Sequence, residues 1–261
     1  MASGMQSANI DHIPVIWFEP ETRPPQRKLA IYLMGLSGKK EDTIPFLQDL
    51  AKAGFVAPSF DNWMHGERTS LTGVQVAELT FDNFRRHMWV NIGQSAMDSL
   101  RIIDWAIQVL NVDQEICMGG LSMGGDISVA VAGIDRRIRR VGAVIATPDW
   151  LRPGMVDLLS EEKRILPPGN PDSYSLLFYE LFNPITHLEH YAHAPKIRFV
   201  CGEKDDQVPT EAAFRFKAAL AELYPKAADQ VSIDLVPGLG HIEMALSPDR
   251  WWPQLLAWMT Q

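Results

Sequence analysis

The 261-residue chain carries a formal net charge of −8, with 24 basic against 32 acidic side chains; this argues against nucleic acid and anionic membranes as partners, since both reward a basic face. Its 46% hydrophobic and 21% charged fractions are those of a globular protein, and no apolar run approaches the length of a bilayer crossing. Residues 1–10 lack an apolar signal core, and the two cysteines, Cys117 and Cys201, are expected about 9–10 Å apart on strands separated by a third, beyond disulfide reach, so a reducing, cytoplasmic setting is expected.

Residues 13–18 read as a first strand, followed by a proline-rich loop. A second apolar run, 29–34, ends at Gly35-Leu36-Ser37-Gly38-Lys39-Lys40. Its glycines stand too close together for a phosphate-binding loop, and Lys40 occupies the position where such a loop needs Ser or Thr. A helix is expected over 43–53, with Pro45 in its first turn and Gly54 as its stop, then a strand over 55–60. That strand opens into Asp61-Asn62-Trp63-Met64-His65-Gly66-Glu67-Arg68, a polar loop at the kind of strand end where open parallel sheets place ligands. Asp61 reads as structural, and His65 as holding its own loop, with substrate contact the alternative.

A helix over 91–110 precedes the apolar strand at 116–118. The basic run 136–140 reads as a solvated connection into a strand over 141–146. Residues 151–194 break the alternation with prolines and with the aromatic residues Tyr174, Phe178, Tyr179 and Phe182, as a small cap would. Within them His187, His190 and His193 repeat every third residue. On a helix such a series drifts by about 60° per step, so the run reads as a polar helix face, and no metal site is expected. A strand over 196–201, a helix over 210–224, a strand over 231–236 and a closing helix bearing Trp252, Leu255, Leu256 and Met259 complete the chain. Strands alternating with helices imply an α/β protein: a mostly parallel sheet with helices on both faces, one domain over 1–261, and an insertion at about 151–194.

Gly120-Leu121-Ser122-Met123-Gly124 stands between the strand at 116–118 and a helical pattern. Such a pentapeptide occurs by chance in about one chain in ten of this length, so the rest of the chain must decide its meaning. A serine hydroxyl needs an adjacent base, itself oriented by a carboxylate, and on this architecture the order is Ser, acid, His. Of the histidines after Ser122, only His241 lies in a glycine-bearing loop directly after a strand, Gly238-Leu239-Gly240-His241. The acid is sought in Gly202-Glu203-Lys204-Asp205-Asp206-Gln207-Val208-Pro209, with Asp205 favoured, Asp206 second and Glu203 third. Backbone donors for a developing oxyanion are expected from Met123, just after the serine, and from Leu36 in the loop after the 29–34 strand.

These motifs, in this order and spacing, resemble those of α/β-hydrolases, and among them bacterial esterases related to dienelactone hydrolases and the catalytic domain of prolyl oligopeptidases. The resemblance implies the α/β-hydrolase fold and an acyl-enzyme route on a Ser122–His241–Asp205 triad, without metal or organic cofactor. Two positions depart from it. Met34 precedes Gly35 where such families often carry His, and Ser122 stands where dienelactone hydrolases carry Cys. Trp63, His65, Trp150, Phe178 and Phe182 are the candidates for a substrate pocket. The expected activity is cleavage of a small-molecule carboxylic ester or thioester, with an acyltransferase using the same triad, or a binding protein on a hydrolase scaffold, as alternatives.

Overall fold

The computed structural model describes residues 4–22, 27–157 and 162–261. Its centre is an eight-stranded sheet in the order β1-β2-β4-β3-β5-β6-β7-β8. The strands are β1 (Gln6–Ile10), β2 (Ile13–Phe18), β3 (Lys28–Leu33), β4 (Phe55–Phe60), β5 (Ile116–Leu121), β6 (Ile138–Val144), β7 (Lys196–Gly202) and β8 (Val231–Val236). From β4 to β8 every neighbour pair is parallel, while β1 pairs with β2 and β2 with β4 antiparallel. β5 lies in the middle, and all six of its residues are buried.

The sheet is covered on both faces because its strands are apolar on both. One face packs on α3 (Phe84–Val109), α4 (Met123–Ile134) and α6 (Glu211–Leu223) through Met88, Trp89, Ile127, Val131 and Phe216. The other packs on α1 (Ile44–Lys52) and α9 (Trp252–Met259) through Leu47, Leu50, Trp252, Leu255 and Met259. The remaining helices are α2 (Gly73–Asp82), α5 (Ser173–Phe182), α7 (Pro225–Ala228) and α8 (His241–Leu246). Among the described residues no helix is long and apolar enough to cross a membrane.

Several expectations from the sequence need revision. The 13–18 strand is the second, because β1 pairs with it through a two-residue turn. Asp11 and His12 there have φ of 48° and 67°, the left-handed pair that a tight hairpin requires. α3 begins at Phe84, capped by the Asn83 side chain, which accepts from the Arg86 N–H at 3.3 Å. α2 was not expected, although Thr72 and Gln75 form a capping box at its start. Part of the 136–140 run lies inside β6 instead of in a solvated connection. Arg140 bonds the Trp258 carbonyl and lies over the Trp258 ring at 5.1 Å, and Arg137 pairs with Asp135 and Asp104. The histidine run is not helical: Pro184–Thr186 and Leu188–Tyr191 are short 3-10 turns.

Between β6 and β7 the chain leaves the sheet. Its return is secured by side chains: Asn183 Oδ1 accepts from the Trp150 N–H at 2.9 Å, Trp89 Nε1 donates to the Trp150 carbonyl at 3.0 Å, and Arg215 pairs with Asp149 at 2.8 Å. α5 rides on α3, with Phe178 against Gly93, where a Cβ would stand 2.4 Å from the ring, and with Tyr179 stacked on Trp89 at 4.3 Å.

Candidate active site

The site begins with a backbone constraint. β5 must end and α4 begin within one residue, and that residue, Ser122, sits at φ 52°, ψ −119°. A non-glycine residue there is strained, and the surroundings must hold it. Ser122 donates its N–H to Val144 O at 2.8 Å, and its carbonyl accepts from Gly125 and Asp126 at 2.8 and 3.0 Å. The flanking glycines are steric requirements, because a Cβ on Gly120 would lie 2.4 Å from the Gly124 carbonyl carbon and one on Gly124 would lie 2.3 Å from Leu33 O. The serine hydroxyl is thereby presented at the C-terminal edge of the sheet.

His241 is the first residue of α8 and is buried. Its Nε2 is 3.1 Å from Ser122 Oγ and its Nδ1 is 2.8 Å from Asp205 Oδ2. Asp205, in the turn after β7, accepts at Oδ1 from the N–H groups of Gln207 and Val208 at 3.1 and 2.8 Å. Those two main-chain donors hold Oδ1 and leave Oδ2 to His241. The competing acids are engaged elsewhere: Asp206 pairs with Lys163 at 3.1 Å, and Glu203 accepts from the Gly238 N–H at 2.8 Å.

The loop after β3 passes directly against the serine. A Cβ on Gly35 would lie 3.1 Å from Ser122 Cβ. Residues 35–38 form a turn closed by Gly38 N–H to Gly35 O at 3.2 Å, with Ser37 at φ 73°; the closing bond does not use the N–H of Leu36. Met123 opens α4, where its N–H has no acceptor within the helix. Both amides expected to serve an oxyanion thus belong to backbone that borders Ser122.

Sequence reasoning did not find the brace under this loop. Asp61, fully buried, accepts from the Lys40 N–H and from Lys40 Nζ, each at 2.9 Å, and from the Glu67 N–H at 3.0 Å. Lys40 also pairs with Glu67. Asp61 faces Gly66 so closely that a Cβ there would fall 2.1 Å from its Oδ1. A lysine after a glycine-bearing turn, followed by an aspartate at the next strand's end, was the available signal. A second missed pair is Arg152 with Asp126, both essentially inaccessible. Burial pushes the Asp126 carboxyl up from its ordinary range, and the Arg152 guanidinium opposes that push.

The expected pocket residues separate into two groups. Trp63 is half-buried beneath the Arg68 guanidinium at 4.9 Å and lines a cavity of about 240 Å³ with Val76, Leu79 and Val90. His65 lines a neighbouring cavity of about 530 Å³ with Ser37 and Leu71. It is 1% exposed, and its Nδ1 is 2.7 Å from the Trp63 carbonyl, the loop-holding role; burial is the first cause lowering its pKa below the usual histidine value. Trp150 and Phe178 are a correction: Trp150 is fully buried and Phe178 fills the notch at Gly93, so both serve packing against α3. Phe182 is half-buried beside Phe178, their rings 6.1 Å apart.

A mostly parallel sheet covered on both faces, with a strained serine between its central strand and the following helix, defines the α/β-hydrolase class. The sequence model of the prolyl oligopeptidase family matches residues 82–261, and the chain belongs to that family of hydrolases. No curated protein sequence matches it. Among solved structures it is similar to TT1662 from Thermus thermophilus, at 20% identity over 98% of each chain with a TM-score of 0.67. A protein classed as a dienelactone hydrolase from Klebsiella pneumoniae is similar at 16% identity over 98% of each chain, with a TM-score of 0.68. The esterase Pf2001 from Pyrococcus furiosus is similar at 14% identity over 99% of this chain and 91% of its own, with a TM-score of 0.66.

Proposed function

We propose that the protein is a serine hydrolase that cleaves small carboxylic esters or thioesters through an acyl-enzyme. The observation that carries this reading is the unbroken line from Ser122 Oγ through His241 to Asp205, with contacts of 3.1 and 2.8 Å. His241 takes the serine proton as Oγ attacks the carbonyl carbon, and returns it to the leaving alcohol or thiol as the tetrahedral adduct collapses. Asp205 holds the Nδ1–H tautomer and stabilises the imidazolium. The amides of Leu36 and Met123 receive the oxyanion. Water, activated by His241, then releases the acid and restores the hydroxyl.

The ester preference is supported by the esterase among the similar structures, and a cavity of about 380 Å³ lined by His241, Val156 and Ile242 offers room beside the triad. The 151–194 segment acts as a cap, and the reaction takes place in the cytoplasm. A fluorophosphonate probe is expected to label the wild type and not Ser122→Ala. Nitrophenyl esters graded by acyl length, run beside peptide nitroanilides, test the substrate class. Faster turnover of the anilides would assign a peptidase instead.

A further inference from the structure

The segment that reads as a polar helix in sequence is broken at His187, whose φ of −131° and ψ of 55° separate two 3-10 turns. The break turns the side chains of this segment toward one another. One ligand atom each from His187, Glu189 and His190 lies within 4.8 Å of the others, and the two imidazoles stack at 5.0 Å with planes 15° apart. His193 is held elsewhere, its Nδ1 2.9 Å from the His190 carbonyl oxygen.

A second observation concerns protons. His187 Nε2 is 2.5 Å from the Glu180 carbonyl oxygen, and its Nδ1 is 3.3 Å from Glu189 Oε1. A carbonyl oxygen and a carboxylate oxygen are both acceptors, whereas a neutral imidazole has one N–H to give. Spent on the closer contact, that N–H leaves the Nδ1 lone pair facing a carboxylate oxygen with nothing between them. A cation completes such a pair. An imidazole that donates one N–H to a backbone carbonyl while offering its other nitrogen is also how metal-bound histidines are oriented.

We propose that His187 Nδ1, the Glu189 carboxylate and the His190 imidazole bind one borderline divalent cation of the zinc class. The site would tie the last turn of α5, through Glu180, to the turns that lead into β7. Zinc takes such N and O ligands at about 2.0–2.2 Å, which sets tetrahedral neighbours roughly 3.3–3.5 Å apart. Glu189, with a side chain 58% exposed and Oε1 3.3 Å from His187 Nδ1, is free to adjust about a shared ion. Two imidazoles select against magnesium and calcium, which favour all-oxygen sets. None of Ser122, Asp205 and His241 takes part, so the proposal stands apart from the assigned reaction.

The test is calorimetric titration of the chelator-treated, full-length protein with zinc. One equivalent is expected to bind with Kd of about one micromolar or tighter. His187→Ala and His190→Ala each weaken binding by at least about tenfold, and Glu189→Gln weakens it in the same direction, while His193→Ala leaves it unchanged. At zinc a hundredfold above Kd, the wild-type Tm rises by roughly 5 °C, and the His187→Ala/His190→Ala double variant shows no rise. Absence of saturable binding overturns the proposal. Binding that survives the double variant, or is lost in His193→Ala, also overturns it.

Discussion

The turns at Ser122, Asp205 and His241 and the excursion between β6 and β7 meet where the Val156 N–H donates to Asp206 O at 2.8 Å, yet they are held by different means. Main-chain bonds and missing side chains fix the turns: Val144 O under the serine, two amides on Asp205, and glycines at 120 and 124 where no Cβ fits. Side chains fix the excursion: Asn183 on Trp150, Arg215 on Asp149, Arg152 on Asp126, and rings on α3. Backbone constraints place reacting atoms to fractions of an ångström and tolerate drift in neighbouring side chains. A segment pinned by side chains can be rebuilt residue by residue while the chemistry below it stays in register.

If that contrast is right, substitutions in the turns should cost activity with little stability, and those in the excursion the reverse. The largest effect is expected from Ser122→Ala, with kcat falling by about 10⁵ or more at an unchanged Tm; ester kinetics beside thermal melts read both. Asp205→Asn should follow, with a loss of about 10⁴ in kcat, while Asp206→Asn stays within a few-fold. The opposite order would move the carboxylate role to the neighbouring residue.

Arg152→Met should act mainly on stability, at a cost of about 3–5 kcal/mol, because it strands the buried Asp126. Burial already raises the folded-state pKa of Asp126. The folded state therefore holds a proton that the unfolded state has released, and stability falls as pH rises through that interval. The deficit of Arg152→Met should accordingly shrink toward acid, which denaturant titration at pH 5 and pH 8 can measure; a deficit independent of pH would show that Asp126 never takes the proton. The smallest effect is expected at the cysteines. Both are free and buried, and burial pushes each thiol up to about 12, so iodoacetamide should leave the folded protein unlabelled at pH 8.

The same contrast explains what was legible in the sequence. Gly120, Gly124 and Gly238 mark places where the main chain has few options, and a glycine pattern around one serine and one histidine can be read without knowing what lies nearby. Buried strands announce themselves as continuous apolar runs, as at 29–34 and 231–236. Pairings across the fold leave little local trace: Lys40 and Asp61 are hinted at only by a lysine after a glycine-bearing turn and an aspartate at the next strand's end, and nothing near Asp126 names Arg152. β1 was hidden because Gln6–Ile10 alternates between partial burial and exposure and carries little apolar content. Trp150 and Phe178 looked like pocket walls because aromatic residues in a loop and aromatic residues in a core have the same composition. The histidine run was misread through the assumption of a helix that Pro184 and the backbone at His187 prevent.

Gly93 sits midway along α3, far from Ser122 in sequence, and its contribution to the molecule is an atom it lacks. The ring of Phe178 settles into that gap, so the distance between the two helix axes is dictated by a hydrogen where most residues carry a methyl. Adding that methyl, as Gly93→Ala does, would lift α5 like a shim under a hinge plate. The spacing between α3 and α5 can thus be retuned at a single position, without altering Ser122, Asp205 or His241.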